Sequence, residues 1–575
     1  MISNFTLQRV LEKSKLLDKE TLAKTIEDAE AAKINLEDFI LKNKILSEEE
    51  IYKSASEYLK LPIIDLSTKA LRKDILFLIP EPIAIAHKII AFDQTDGEIM
   101  LATLDPDNVQ IFEFISRKTG LEPKLYLTYP KQFEEAIKQY KLSLKTEFEK
   151  IGASMTATEK AEETENLAKL AEDLPIIRIV DSILEHAVLE EASDIHIEPQ
   201  EANVVVRYRI DGILRQVMDL PKITSAGVVA RIKILSNLKL DEHRLPQDGR
   251  FKISTEQYRL AIRVSILPIA DGEKIVMRLL PENAQALTLD KLGLYPKQLE
   301  LINREIKKPH GIMFVTGPTG SGKTTTLYSI VGILNKPGVN ICTIEDPIEY
   351  RMPLVNQSQV NPRIGFTFAV GLRALLRQDP NIIMVGEIRD SETADIAINA
   401  ALTGHLVLST LHTNDAATTL PRLVEMGVPA YLISSTTNLI VAQRLVRKIC
   451  KECTAPHTLD KNVISELEKL FNLSTILETL RREKITAKKS LADIPFHKGK
   501  GCKKCNNEGY KGRIGIYEAM PVTPKISELL NSHASSNELN KTAISEGMIT
   551  LTEDAFIKAT QGITTIEEII RVTKD

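Results

Sequence analysis

Residues 311–326 read GIMFVTGPTGSGKTTT: an uncharged, mostly apolar run, then a glycine-rich turn, then a lysine followed by hydroxyl residues. This pattern predicts a buried strand that turns sharply into a helix. The turn fits G-x-x-x-x-G-K-[ST], with Gly317, Gly322, Lys323 and Thr324 in the defining places. Such a loop acts through its backbone, because glycines let successive N–H groups converge on phosphates at the positive end of the following helix. The reading therefore assigns ATP to Gly317, Pro318, Thr319, Gly320, Ser321, Gly322, Lys323, Thr324 and Thr325. Lys323 is expected at the β- and γ-phosphates, and the Thr324 hydroxyl at Mg2+.

Beyond the loop, the runs VNICTIED, NIIMVGE and GHLVLSTLH alternate with helical patterns. That alternation predicts a mostly parallel sheet covered on both faces. Hydrolysis of ATP needs a metal, a positioned water and positive charge on the transferring phosphoryl group. NIIMVGEIRD ends a strand near Glu387, an acidic residue placed to support Mg2+ or its water, with Gly386 where an aspartate is usual. TIEDPIEY ends another strand with Glu345, Asp346 and Glu349.

At 575 residues the chain is long enough for about three or four domains. Lys plus Arg total 74 against 78 Asp plus Glu, a net charge of -4 that gives no overall attraction to nucleic acid or anionic membranes. Trp is absent, and no basic stretch is interleaved with aromatics, which argues against a nucleic-acid translocase. No stretch reaches the length of a membrane span and the N-terminus lacks a signal-peptide core, so a cytosolic protein is expected. Four of five cysteines form CKEC (Cys450, Cys453) and CKKC (Cys502, Cys505), a set suited to one structural zinc; Cys342 reads as a buried thiol.

Upstream, the first 60 residues hold a weak repeat that places Leu7, Leu11, Leu16, Leu17 and Leu22 over Leu36, Ile40, Ile45, Leu46 and Ile51, a shift of 29 (36 − 7). Such spacing suits paired short helices. Residues 61–140 read as a small α/β domain and 141–173 as a charged linker. Residues 174–285 form a second small domain with hairpin turns at Asp211-Gly212 and Asp271-Gly272. In its strands Arg259 and Arg263 share a face opposite Tyr258, Leu260 and Ile262, and Lys274 shares one with Arg278. Residues 286–575 hold the ATPase core and a tail expected to be mostly helical outside its cysteine region.

The runs ASDIHIEP, RLPQDGR, GPTGSGKTTTLY, TIEDPIEY, LRQDPNIIMVGEIRD and GHLVLSTLHTNDA, in order over about 174–575, resemble the secretion ATPase superfamily, specifically type IV pilus assembly ATPases and type II secretion ATPases. The resemblance implies an α/β fold: a RecA-like P-loop core after a PAS-like domain, with a helical and α/β N-terminal region, in a homohexameric ring. It implies a cytoplasmic motor, peripheral at the membrane, that turns an inner-membrane platform protein, with a cytoplasmic ring protein as a further partner of the N-terminal domain. It maps arginines that complete the nucleotide site onto Arg263 and Arg278, and an acidic box onto Glu345, Asp346 and Glu349. Glu345 is then expected to polarise the attacking water, with Glu387 at Mg2+; the reverse assignment stays open. A histidine box maps onto Gly404, His405 and His412, with His412 as γ-phosphate sensor, and Arg373, Arg377 and Arg389 match interface positions. The same family carries a tetracysteine zinc site.

In related proteins the N-terminal repeat binds cyclic di-GMP through copies that begin R-L-G and carry a second glycine. Here the matching places hold Thr6-Leu7-Gln8 with Lys15 and Asn35-Leu36-Glu37 with Lys44, so tight cyclic di-GMP binding is not expected. Pilus retraction ATPases resemble only the later part of the chain and lack the cysteine pairs. The assembly reading therefore leads, with the type II secretion ATPase as its alternative and a hexameric nucleic-acid translocase as the alternative of a different class; a silent nucleotide-binding scaffold is disfavoured by the near-complete set of phosphate, carboxylate and arginine motifs.

Overall fold

The repeated leucines at the N-terminus fold as two helix pairs in the computed structural model: α1 (Asn4–Ser14) with α2 (Lys19–Ala31), and α3 (Leu36–Lys42) with α4 (Glu48–Leu59). The structure describes the chain except for residues 1, 3, 15, 32–33, 68–70, 77, 80, 138–166, 168–169, 172–173, 255–258, 282–287, 460, 489, 506 and 574–575. It divides into two compact units, Met1–Leu279 and Leu280–Asp575.

In the first unit, Leu7, Leu11, Leu22, Leu36, Ile40, Leu46 and Ile51 enter one apolar cluster, while Leu16 stays exposed. α4 starts at Ser47, whose side chain and that of Glu50 cap each other's backbone N–H. A three-stranded sheet follows: β1 (Ile89–Gln94) and β2 (Glu98–Thr103) are antiparallel, and β2 runs parallel to β3 (Glu122–Leu127). The parallel pair needs a crossover, which the helix Val109–Thr119 supplies. The segment read as a linker lies outside the described residues except for 167, 170 and 171.

The rest of this unit is a six-stranded sheet of β4 (Asp194–Pro199), β5 (Asn203–Ile210), β6 (Ile213–Pro221), β7 (Gln247–Ser254), β8 (Arg259–Ile269) and β9 (Gly272–Pro281), in the order β6-β5-β4-β9-β8-β7. The two Asp-Gly pairs sit between β5 and β6 and between β8 and β9, as their turn chemistry predicts. Alternation along β8 buries Leu260, Ile262 and Val264 and exposes Arg259 and Arg263; Tyr258 lies outside the described residues. The apolar face packs on the helices Leu174–Leu189 and Ser225–Leu235 through Val180, Ile183, Leu184, Val228 and Ile232.

The second unit is built on a seven-stranded sheet of β10 (Gly311–Thr316), β11 (Ile341–Glu345), β12 (Val355–Gln359), β13 (Ile382–Val385), β14 (Leu406–Leu411), β15 (Thr437–Ile449) and β18 (Tyr510–Pro521), in the order β12-β11-β13-β14-β10-β15-β18. All but β18 run parallel, and every residue of β10, β11, β13 and β14 is buried, as expected of strands covered on both faces. Cys342 is one of these buried residues.

The C-terminal tail departs from its helical expectation at β18, a 12-residue strand antiparallel to β15. GRIGIYEAMP carries two glycines and two isoleucines, which weaken a helix and suit a strand. A further hairpin, β16 (Thr454–His457) with β17 (Phe496–Gly499), lies between the cysteine pairs. No helix among the described residues is long and apolar enough to cross a membrane.

Candidate nucleotide site

β11, β13, β14 and β10 are consecutive neighbours in the sheet and run parallel, so the segments that leave them emerge at one edge. That edge receives the phosphate loop after β10, Glu345 at the end of β11, Glu387 after β13 and His412 after β14. The sequence order thus delivers four separate motifs to one place.

The loop leads directly into the helix Lys323–Leu334. Lys323 Nζ donates to the carbonyls of Gly317, at 2.7 Å, and Pro318, at 3.1 Å. Burial lowers its pKa to about 8, opposed by the negative charge of Glu387. Gly317 has φ 144°, and a Cβ there would stand 2.3 Å from the Gln443 carbonyl oxygen. The loop can approach β15 this closely only with glycine at that position. Gln443 braces it further, donating from Nε2 to the Ser321 carbonyl at 2.8 Å and accepting from the Thr326 hydroxyl at 2.7 Å. Thr324 is exposed at the start of the helix.

Glu345 is buried and held by three donors: the Tyr328 hydroxyl on Oε2, and Thr343 Oγ1, at 2.5 Å, and Gln357 Nε2, at 3.2 Å, on Oε1. Burial pushes its pKa above the usual carboxylate range, and these donors pull it back only in part. Glu349 donates its backbone N–H to the same Tyr328 oxygen at 3.3 Å, and its Oε2 is buried without a hydrogen-bond partner among the described residues. Asp346 is exposed.

Glu387, also buried, pairs through Oε2 with Arg389 Nε at 2.8 Å and with His412 Nε2 at 3.3 Å. The expected metal carboxylate and the expected sensor histidine are therefore in direct contact. His405 is separated from them: it precedes β14 at the opposite edge of the sheet, with Nδ1 against the Ala400 carbonyl at 3.0 Å. Arg373 makes an exposed ion pair with Glu392 at 2.7 Å, and Arg377 donates to the Arg373 carbonyl at 3.1 Å.

In the first unit, Arg263 is exposed on β8, in register with Arg250 of β7. Arg278, on β9, donates from Nε to the buried carboxylate of Asp194 on β4 at 2.9 Å. Arg209 approaches the same carboxylate at 3.5 Å.

The four paired cysteines converge despite the 48 residues (502 − 453 − 1) between the pairs. The β16–β17 hairpin closes that interval, setting Lys500 N on the Cys453 carbonyl at 2.9 Å. Sulfur separations are 3.7 Å for Cys450–Cys502, 3.8 Å for Cys453–Cys505 and 3.6 Å for Cys502–Cys505. A tetrahedral zinc with Zn–S bonds of about 2.3 Å separates its sulfurs by roughly 3.8 Å, so the cluster has the dimensions of a closed four-thiolate site.

The motifs alone missed Tyr328, Thr343, Gln357 and Gln443. Thr343 precedes Glu345 by two residues, and the strand period puts both on one face. Gln443 is a polar residue within the apolar run NLIVAQRLV, a buried polar group that must find a partner. Tyr328 and Gln357 carry no comparable signal.

Comparison with known proteins finds relatives over most of the chain. The family described as "Type II/IV secretion system protein" matches residues 169–571, and the MshEN domain matches residues 59–147. The chain is 38% identical over 572 residues to the type IV pilus assembly ATPase PilB of Myxococcus xanthus, covering 98% of each chain. It is 43% identical over 430 residues to the type II secretion system protein E of Pseudomonas aeruginosa, covering 74% of this chain and 82% of that one. Among solved structures, the ATPase DotB of Yersinia pseudotuberculosis shares the fold with a TM-score of 0.50 at 23% identity, over 69% of this chain and 93% of that one.

Proposed function

The chain belongs to the type II/IV secretion system protein family and is an ATPase with a RecA-like core, and on that premise we propose that it is the cytoplasmic hexameric motor of type IV pilus assembly, acting on an inner-membrane platform protein. The observation that carries hydrolysis is the shared sheet edge, which gathers the phosphate loop, Glu345, Glu387 and His412. The pilus reading is supported by the relatives: the pilus assembly ATPase is matched over 98% of both chains. The higher identity to the secretion protein, 43% over 430 residues, keeps secretion as the second reading.

In the proposed mechanism the loop N–H groups bind the phosphates, and Lys323 exchanges its two loop carbonyls for phosphate oxygens. Thr324 and Glu387 would hold Mg2+, which neutralises charge on the phosphates. Glu345 polarises the water, its two oxygens fixed by Tyr328, Thr343 and Gln357. His412, touching Glu387, reports the state of the γ-phosphate to that carboxylate. Arg263 and Arg278 supply positive charge that completes the site, so turnover depends on ring assembly. Cys450, Cys453, Cys502 and Cys505 would hold a structural zinc, whose role is to fix the β16–β17 hairpin against the start of β18.

The test is ATP hydrolysis by hexameric and monomeric fractions of wild type and Arg278→Ala. Hydrolysis confined to the wild-type hexamer, with nucleotide binding retained in the variant, is the expected result. Equal rates in all fractions would refute the arginine role. Pilus assembly restored by the wild-type gene in cells lacking it, with secretion unaffected, separates the two readings.

A further inference from the structure

A second side-chain cluster lies outside the nucleotide site, wholly within the first unit. His87 ends the helix Glu81–His87, and His186 lies in the last turn of the helix Leu174–Leu189, followed by Glu190. One donor atom from each of the three side chains falls within 4.8 Å of the other two.

The distances are not those of hydrogen bonds. Glu190 Oε1 stands 3.6 Å from His87 Nε2 and 3.8 Å from His186 Nε2. Hydrogen bonds between such groups are near 2.8 Å. A tetrahedral ion with bonds of about 2.0–2.2 Å separates its ligand atoms by roughly 3.3–3.6 Å. His87 Nε2 and both ring nitrogens of His186 are buried without a hydrogen-bond partner among the described residues, although His186 is only 1% exposed. Such orphaned nitrogens are costly unless something else satisfies them.

The geometry points to a divalent transition-metal site of the zinc class, with His87, His186 and Glu190 as its three protein ligands and an open fourth position. Two imidazoles and a carboxylate suit zinc better than magnesium or calcium, which prefer all-oxygen sites. Asn108 Nδ2 stands 3.1 Å from His87 Nδ1; ligation through Nε2 makes Nδ1–H a donor, so the Asn108 amide must then present its oxygen to that nitrogen, as partners of metal-bound histidines do.

The consequence is mechanical. The metal clamps a helix of the N-terminal region to the first helix of the six-stranded-sheet region, beside an ion pair between Lys118 and Glu185 that joins the same parts. It sets how firmly the N-terminal region is held.

The test counts zinc in the full-length protein by native mass spectrometry and elemental analysis after equilibration with micromolar free Zn2+. Wild type is expected to hold two equivalents, one at the cysteines and one here. His87→Gln, His186→Gln and Glu190→Gln are each expected to hold one, whereas Lys118→Ala, which breaks the neighbouring ion pair only, keeps two. Asn108→Ala is expected to weaken the second equivalent by about 10- to 100-fold. Wild type holding one equivalent, or the histidine variants holding two, overturns the site. If fully buried His186→Gln fails to fold, Glu190→Gln, whose side chain is 15% exposed, decides, and cobalt substitution adds a readout: the Co2+ absorption assignable to nitrogen and oxygen ligands disappears in that variant, or the site is refuted.

Discussion

The Tyr328 hydroxyl donates to Glu345 Oε2 and so ties the helix that carries Lys323 to the strand end that carries the buried carboxylate. Burial raises the Glu345 pKa, and each donor to its ionised form lowers it. Tyr328→Phe removes one such donor, so the pKa rises further. A carboxylate that must be ionised to polarise water then reaches that state at higher pH. The acid limb of the kcat profile is expected to move upward, with kcat near neutrality falling roughly three- to tenfold and the KM for ATP little changed. Steady-state rates over roughly pH 5–9 check this; an unmoved limb removes Glu345 from the role of base.

The two buried glutamates separate by their dependence on Mg2+. Glu345→Gln is expected to lower kcat by about 10²–10⁴ with ATP affinity and the Mg2+ requirement unchanged. Glu387→Gln frees Arg389 and His412 from their shared partner and is expected to raise the Mg2+ concentration for half-maximal rate. Titrations of rate against Mg2+ for both variants decide the assignment; the opposite pattern reverses it.

The phosphate loop offers a contrast between two glycines with positive φ. A Cβ at Gly317 meets the Gln443 carbonyl oxygen at 2.3 Å, whereas a Cβ at Gly320, φ 78°, meets nothing within 4 Å. Gly317→Ala must displace the loop from β15 and is expected to abolish measurable ATP binding. Gly320→Ala carries only the backbone cost of about 1–2 kcal/mol and is expected to lose tenfold or so in affinity. Calorimetric ATP titration of the two variants measures the difference.

Much of the site was legible because its parts are short and local. The phosphate loop, the strand-ending carboxylates and the cysteine pairs are motifs whose chemistry follows from residue type and spacing. Contacts that cross the sheet were not legible. Gln443 lies 122 residues from Ser321 in sequence, and Gln357 reaches Glu345 from a neighbouring strand, so neither relation has a local signature. The histidine box divides along its strand: GHLVLSTLH reads as one unit, and an extended β14 carries His405 and His412 to opposite edges, so that only His412 reaches the edge with the phosphate loop. β18 was missed because its pairing with β15 is antiparallel in an otherwise parallel sheet, and only tertiary context provides it.

Glu518, fully buried on β18, accepts from Ala416 N at 2.9 Å and Leu551 N at 3.3 Å, at the starts of two helices. Burial nevertheless raises its pKa to about 7. An acid whose folded pKa lies above its unfolded value binds more protons when folded, so stability falls as pH rises between the two values. The contribution is fully present below about pH 4.5 and lost by about pH 7, on the order of 3 kcal/mol. Glu518→Gln removes the titration. It is expected to be less stable than wild type at acid pH and to close that gap, or reverse it, near pH 8; urea unfolding at both pH values checks the sign.

Removing zinc from the four cysteines is expected to loosen one corner and spare the rest. The cluster joins Cys450, whose N–H donates to the Gly509 carbonyl at 2.9 Å, to the far side of the β16–β17 hairpin. None of the four cysteines lies on β10, β11, β13 or β14, and the corner meets the apolar cluster of those strands only through flanking residues such as Leu459 and Phe496. Cys505→Ser should therefore lose the metal held by the thiolates and speed amide exchange across residues 450–457 and 496–510, while exchange in β10–β14 and ATP binding stay as in wild type. Exchange rising equally in β10 would mean that the cysteine corner and the nucleotide site unfold as one cooperative unit, and the zinc would then stabilise the whole sheet rather than its margin.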